Sequence, residues 1–261
     1  MREAEFMAGG RSRSSVGTWF HWQGRAAVAL LMVAVLLVVA FSAVAYAAVP
    51  PKGAVTDVHV DMIGDSLSTG FKTPGVTWPD QEQTLIADTG LKADITNASE
   101  NGAGYVQSGE AGDVFLDLAN RVVNSQSQVV VLFGSDNDTG QSGLAEAVQT
   151  VLDRVKVLAP QARVIMVGPT SESNDADGQL TSIISALSQS AATYRVHFVD
   201  PVALGWFQGA DNQYLSSDME HPNAAGEAYL AQHMEPVLAP AIANAMHHDG
   251  LWDGAFSKAR P

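Results

Sequence analysis

Not one of the 261 residues is a cysteine. That removes thiol nucleophiles, cysteine-held metals and disulfide staples together, so the fold must rest on its core. Positive charge is the second scarcity: 14 Lys and Arg stand against 28 Asp and Glu, for a formal net charge of -14. Several of the basic residues (Arg2, Arg11, Arg13 and Arg25) crowd the N-terminus, which leaves the remainder more acidic still. A surface of that sign repels phosphate backbones and anionic headgroups, so nucleic acid is excluded as a partner and the acidity serves solubility. Metal ligands are also sparse. His247-His248-Asp249 places adjacent imidazoles in a coil tail, poor geometry for one ion, and Asp175-Ala176-Asp177-Gly178 lacks the later glutamate of a calcium loop. No metal or cofactor is expected.

What is present begins with an address. Behind the basic flank, residues 26–40 carry no charge, and the run stays small and apolar to residue 49. This is the pattern of a secretory signal or a signal-anchor helix. Spanning a bilayer takes roughly 20 residues, which 26–49 supplies. Ala45-Tyr46-Ala47 offers a small-x-small cleavage site. Cleavage after Ala47 is the expectation, with a retained anchor as the alternative. The organisation expected is therefore a basic segment (1–25), a signal or anchor (26–49), a linker (50–57), one domain (58–246) and a tail (247–261). The domain is placed outside the cell, secreted or held at the outer face of the cytoplasmic membrane. Only an uncleaved N-terminal segment would touch the bilayer, and a monomer is expected.

From residue 58 onward, short β-branched runs alternate with longer amphipathic stretches. Strands are predicted at 58–63, 95–98, 129–133, 163–167 and 196–199, and helices near 78–89, 110–124, 144–158, 180–193 and 224–245. Val129-Val130-Val131-Leu132-Phe133 is apolar throughout, as a parallel strand covered on both faces must be. Leu144, Val148, Val151, Leu152, Val155 and Leu158 form one helical stripe. Such alternation gives an α/β fold with a parallel, doubly wound sheet.

Chemistry-bearing residues gather at one edge of that sheet. Gly64-Asp65-Ser66-Leu67-Ser68 follows the first strand, Asn97-Ala98-Ser99-Glu100-Asn101-Gly102 the second, and Gly134-Ser135-Asp136-Asn137-Asp138 the third. Asp218-Met219-Glu220-His221 precedes the last helix. Ligands in doubly wound sheets sit beyond the C-terminal strand ends, where strand order reverses. A serine hydroxyl becomes a nucleophile only when an imidazole takes its proton, and the imidazole needs a carboxylate to fix its tautomer. Ser66, His221 and Asp218 fit those three roles. Asp65 reads as a backbone-bonding residue, His59 and His197 as satisfied strand histidines, and Trp78, Trp206 and Phe207 as packing.

These segments resemble the blocks of the SGNH, or GDSL, esterase-lipase superfamily, in its exported, actinobacterial-type form, over about residues 58–245. The resemblance implies a three-layer αβα sandwich with a mainly parallel five-stranded, flavodoxin-like sheet. It implies Ser66 as nucleophile with Asp218 and His221 as acid and base. It also implies an oxyanion hole built from the N–H of Ser66, the N–H of Gly102 (Gly104 if the match shifts) and the side-chain amide of Asn137. One departure stands out. The third block commonly reads Gly-x-Asn-Asp, and aligning on Asn137-Asp138 puts Ser135 where glycine is usual, whereas aligning on Gly134 puts Asp136 in the asparagine's place. An ionised carboxylate cannot donate to an oxyanion, which favours Asn137. The expected activity is hydrolysis of carboxylic esters through an acyl-enzyme. A small-molecule, glycan or lipid acyl ester is the expected substrate, with short acyl groups favoured because the 69–78 loop is short. The same acyl-enzyme intercepted by a sugar hydroxyl would make an O-acyltransferase, and a surface module of the same fold without catalysis is a third alternative.

Overall fold

The computed structural model describes residues 57–171 and 178–247. The signal or anchor segment, residues 50–56 of the linker, the aspartates of 175–177 and the tail beyond residue 247 lie outside the described residues.

Five strands, β1 (Val58–Gly64), β2 (Ala93–Asn97), β3 (Val129–Phe133), β4 (Arg163–Val167) and β5 (His197–Val199), form one parallel sheet in the order β2-β1-β3-β4-β5. This is the flavodoxin-like order, with its reversal between β1 and β3. Register fixes what lies at the reversal. Gly64 pairs with Phe133, Phe133 with Val167, and Met62 with Asn97. The C-terminal ends of β1, β2 and β3 therefore finish at one rim, and the loops that follow them must meet there.

Helices cover both faces, giving the three-layer sandwich. Along β1, Val58, Val60 and Met62 pack with one core cluster, which holds Trp78 and Ile86 of α2 (Trp78–Asp88) and Leu230, Met234, Leu238 and Ile242 of α7 (Ala224–His247). Ile63, Val130, Leu132 and Met166 point the other way, among residues of α3 (Phe115–Val122), α4 (Leu144–Leu158) and α5 (Thr181–Tyr194). Every residue of β3 is fully buried. At about 1.5–3 kcal/mol for each large apolar side chain, that strand anchors both layers. Two short helices, α1 (Ser66–Thr69) and α6 (Pro201–Leu204), cap strand ends. Among the described residues, no helix is long and apolar enough to cross a membrane.

One predicted helix starts late. A helix expected from residue 110 begins only at Phe115. The buried Glu100 carboxylate accepts the N–H groups of Ala111 (2.8 Å) and Asp113 (3.3 Å), and Gly109 N–H donates to Asp113 O, so the segment is drawn into a turn. The Asp117 carboxylate then accepts the Val114 N–H at 3.2 Å and starts the helix there.

Candidate active site

Ser66 opens α1 directly beyond β1. The Asp65 side chain caps that helix by accepting the Leu67 N–H at 2.9 Å, and Gly70 ends it in a left-handed turn (φ 72°). The serine Oγ lies 2.9 Å from Nε2 of His221, a residue 155 positions later in the chain. On the far side of the ring, His221 Nδ1 stands 3.1 Å from Asp218 Oδ2. An ionised carboxylate can only accept, so Nδ1 carries the proton and Nε2 presents its lone pair to the serine hydroxyl.

The two residues between Asp218 and His221 form a tight turn. Asp218 Oδ1 accepts the N–H of His221 (3.1 Å) and of Glu220 (3.2 Å), and Met219 takes a positive φ of 62° to allow it. Ser216 N–H donates to His221 O at 2.7 Å, and Leu215 pairs with Pro222, so the turn is tied at its base. Burial pushes the Asp218 carboxyl up. The N–H groups of His221 and Glu220, the His221 ring and the Lys72 ammonium outweigh it and hold the group well below the ordinary carboxylate range.

The loop after β2 is laced to the serine helix. Asn97 Nδ2 donates to Ser68 O (2.7 Å) and Thr69 Oγ1 to Asn101 Oδ1 (2.5 Å). This holds Gly102, in a left-handed conformation (φ 74°), beside α1. Among the described residues, the N–H groups of Ser66 and Gly102 have no protein acceptor. Asn137 differs. Its Nδ2 donates to Ala103 O (3.1 Å) and to Ser135 Oγ (2.7 Å), so both amide protons are engaged.

A profile of the GDSL-like Lipase/Acylhydrolase family matches residues 62–229. The chain is also 34% identical over 188 residues to the GDSL lipase Rv0518 of Mycobacterium tuberculosis (strain ATCC 25618 / H37Rv), an alignment covering 69% of this chain and 81% of that protein. The chain belongs to the GDSL-like lipase/acylhydrolase family. Like its relatives it is a hydrolase acting on esters, of SGNH fold. Among solved structures, a lipase/acylhydrolase from Enterococcus faecalis shares the fold with TM-score 0.55 at 17% identity, covering 70% of this chain and 96% of that one. TesA shares it with TM-score 0.55 at 20% identity, covering 70% and 99%.

The end of the third block is tied to the second-block loop. The Asp138 side chain is buried and accepts three N–H groups of the second-block loop, from Tyr105 (2.7 Å), Val106 (2.9 Å) and Gln107 (2.9 Å). A Cβ on Gly104 would stand 2.6 Å from the same carboxylate, so only glycine fits there. With Asn137 Nδ2 donating to Ala103 O, the Asn137-Asp138 pair grips the second-block loop. Gly134 has φ 110°, and a Cβ there would meet Asp65 Oδ2 at 2.7 Å.

Asp136 lies on the other side of this strand end. Burial, then the charge of Glu220, raises its carboxyl, while His221 opposes the rise. Asp65 is fully buried behind it and is pushed up to about 7, by desolvation first and by Asp136 second. The structure thus keeps Asp65 as the backbone-bonding residue expected and adds acidic neighbours that the motif does not announce. Trp78, Trp206 and Phe207 are buried in the core, as packing residues. His59 is half-exposed at the start of β1, with Nδ1 3.6 Å from Asp94. Partial burial lowers the pKa of His197 in the edge strand β5.

Sequence reasoning passed over Lys72. Its Nζ lies 3.3 Å from Asp218 Oδ2. The partner is far away in sequence, and a lone lysine in a loop carries no motif. Asp138 was within reach, since it follows the asparagine in the family's third block.

Proposed function

We propose that the protein is an exported serine esterase that cleaves short-chain carboxylic esters through Ser66, His221 and Asp218. The observation that carries this reading is the continuous relay from Ser66 Oγ to His221 Nε2 (2.9 Å) and from Nδ1 to Asp218 Oδ2 (3.1 Å). The serine attacks the ester carbonyl as its proton passes to Nε2, and the imidazolium then returns that proton to the departing alcohol. Water, activated by the same Nε2, releases the acid from the acyl-enzyme. The carbonyl oxygen becomes an oxyanion in both steps. On this reading the N–H groups of Ser66 and Gly102, neither bonded to a protein acceptor among the described residues, receive it, and Asn137 joins them by turning the proton now on Ser135 Oγ.

Short acyl groups are favoured by the shortness of the 69–78 loop, whose turn lies against His221. Phe71 and Met219, both partly exposed beside the triad, offer apolar contact to an acyl group. Export is supported by the basic flank and apolar run of residues 2–49. The test is labelling with a fluorophosphonate probe alongside p-nitrophenyl acetate hydrolysis. Ser66→Ala and His221→Ala should each abolish both while leaving the thermal midpoint nearly unchanged. Labelling that persists in Ser66→Ala would move the nucleophile elsewhere.

A further inference from the structure

The turn between α1 and α2 reaches over the histidine. Thr73 N–H donates to Gly70 O at 2.9 Å, closing a turn whose two central residues are Phe71 and Lys72. Glu227 of α7 holds the turn down. Its carboxylate accepts from Thr73 Oγ1 and from the Trp78 N–H, both at 2.7 Å. With its backbone pinned, the turn sets two side chains over the triad. The Phe71 ring packs against the His221 imidazole with centroids 4.8 Å apart. The Lys72 ammonium lies 4.6 Å from the Phe71 ring centre and 3.3 Å from Asp218 Oδ2, the oxygen that also faces His221 Nδ1.

We propose that Lys72 is a positioning residue for the triad, clamping the imidazole-facing oxygen of Asp218 and opposing the charging of His221. The proposal rests on the triad reading above. Its logic is a balance of charge around one ring. Asp218 and Glu220 bring negative charge from the ring's own turn, Asp136 brings it from the end of β3, and Asp65 stands behind Asp136. Of these, Asp218 bonds the ring directly and Asp136 interacts with it through space. A protonated imidazole has no lone pair for the serine proton, so a cation beside the Asp218–His221 pair favours the form that can act as base. Lys72 supplies the opposing charge from the turn between α1 and α2, and it does so on the carboxylate that couples most directly to the ring. Oδ1 does not depend on it, because the Glu220 and His221 N–H groups hold that oxygen. Lys72 therefore tunes the dyad more than it builds it.

The experiment is kcat/KM for p-nitrophenyl acetate against pH in the wild type, Lys72→Met, Lys72→Arg and Ser66→Ala, with a thermal melt of each. Removing a cation raises the pH at which the imidazolium gives up its proton. In Lys72→Met the acid limb should move to higher pH by about 0.5–1 unit, the lower part of the range for a nearby charge because the pair is partly solvated. The plateau should fall by about two- to fivefold. Lys72→Arg should return the limb to its wild-type position. A residue that merely props the loop would lower the plateau or the melting point and leave the limb in place. An unmoved limb in Lys72→Met, with Ser66→Ala inactive, overturns the Lys72 assignment alone. Turnover surviving in Ser66→Ala overturns the triad reading and Lys72 with it.

Discussion

Asn137 and Asp136 are neighbours of opposite hydrogen-bonding character, an amide that can donate beside a carboxylate that accepts. An oxyanion needs donors, which the Asn137 amide can supply and an ionised Asp136 cannot. The amide is held by Ser135 Oγ and Ala103 O, and the proposed mechanism has it turn from Ser135 to the oxyanion. Asn137→Ala should lower kcat by about 10²–10³ with little change in KM, since the bond gained forms only in the transition state. Asp136 is a partly buried carboxyl, raised by desolvation and Glu220, whose rise the nearby His221 opposes. Asp136→Asn should keep kcat within about fivefold and move the acid limb of kcat/KM to lower pH, opposite in direction to Lys72→Met. Side-by-side kinetics on one short-chain ester decide the matter. A crippled Asp136→Asn beside a healthy Asn137→Ala would put the third block out of register by one residue.

At the level of elements, the triad turn is placed by how closely α7 approaches the segment before it. Asn223 caps α7, accepting the N–H groups of Ala225 (2.9 Å) and Gly226 (3.1 Å), while its Nδ2 donates to Gln213 O and Leu215 O (both 2.8 Å). Gly226 permits that closeness, because a Cβ there would stand 2.0 Å from Tyr214 O. Backbone cannot yield as a flexible side chain can. Gly226→Ala should cost about 1–3 kcal/mol, seen as a lower urea midpoint, and should reduce kcat as the Asp218–His221 turn shifts. An unchanged midpoint would show that the approach is looser than 2.0 Å implies. The same residues show which parts of the sequence could be read directly. β3 was plain because all five of its side chains are apolar, and α4 because its stripe has one period. The start of α3 was hidden, since the Glu100 carboxylate that unwinds residues 110–114 sits in a loop with no local signal. Ser66, Asp218 and His221 stood out by residue type and order. Lys72 and the brace from Glu227 did not, because each matters only through a partner that the fold brings from more than a hundred residues away.

Across the whole molecule, acidity shapes stability as well as the site. The chain carries a net charge of -14, and several carboxyl groups are buried in it. Glu82 on α2 is completely buried against α7, with neither oxygen hydrogen-bonded. Desolvation, and then the charge of Glu235, pushes its carboxyl up to about 8 from an ordinary 4.5. The sign follows from proton linkage. Between those values the folded protein keeps the proton and the unfolded chain has lost it, so folding takes up a proton and stability falls as pH rises. The contribution is fully present below about 4.5 and is lost as pH passes about 8. Asp65, raised to about 7, acts in the same sense over a lower window. Asp218, held below its ordinary value, acts in the opposite sense and contributes stability only above the ordinary aspartate range. Urea denaturation at pH 5.5 and pH 8.5 should therefore show the wild type weaker at the higher pH, by an amount on the order of a few kcal/mol. General repulsion among surface carboxylates would give a similar trend, so the wild type alone does not isolate the buried group. Glu82→Gln keeps the shape and removes the titration. Whatever its offset at pH 5.5, its stability should decline less between the two pH values than that of the wild type. Equal declines in the two proteins would assign the trend to surface charge and leave Glu82 without a part in it.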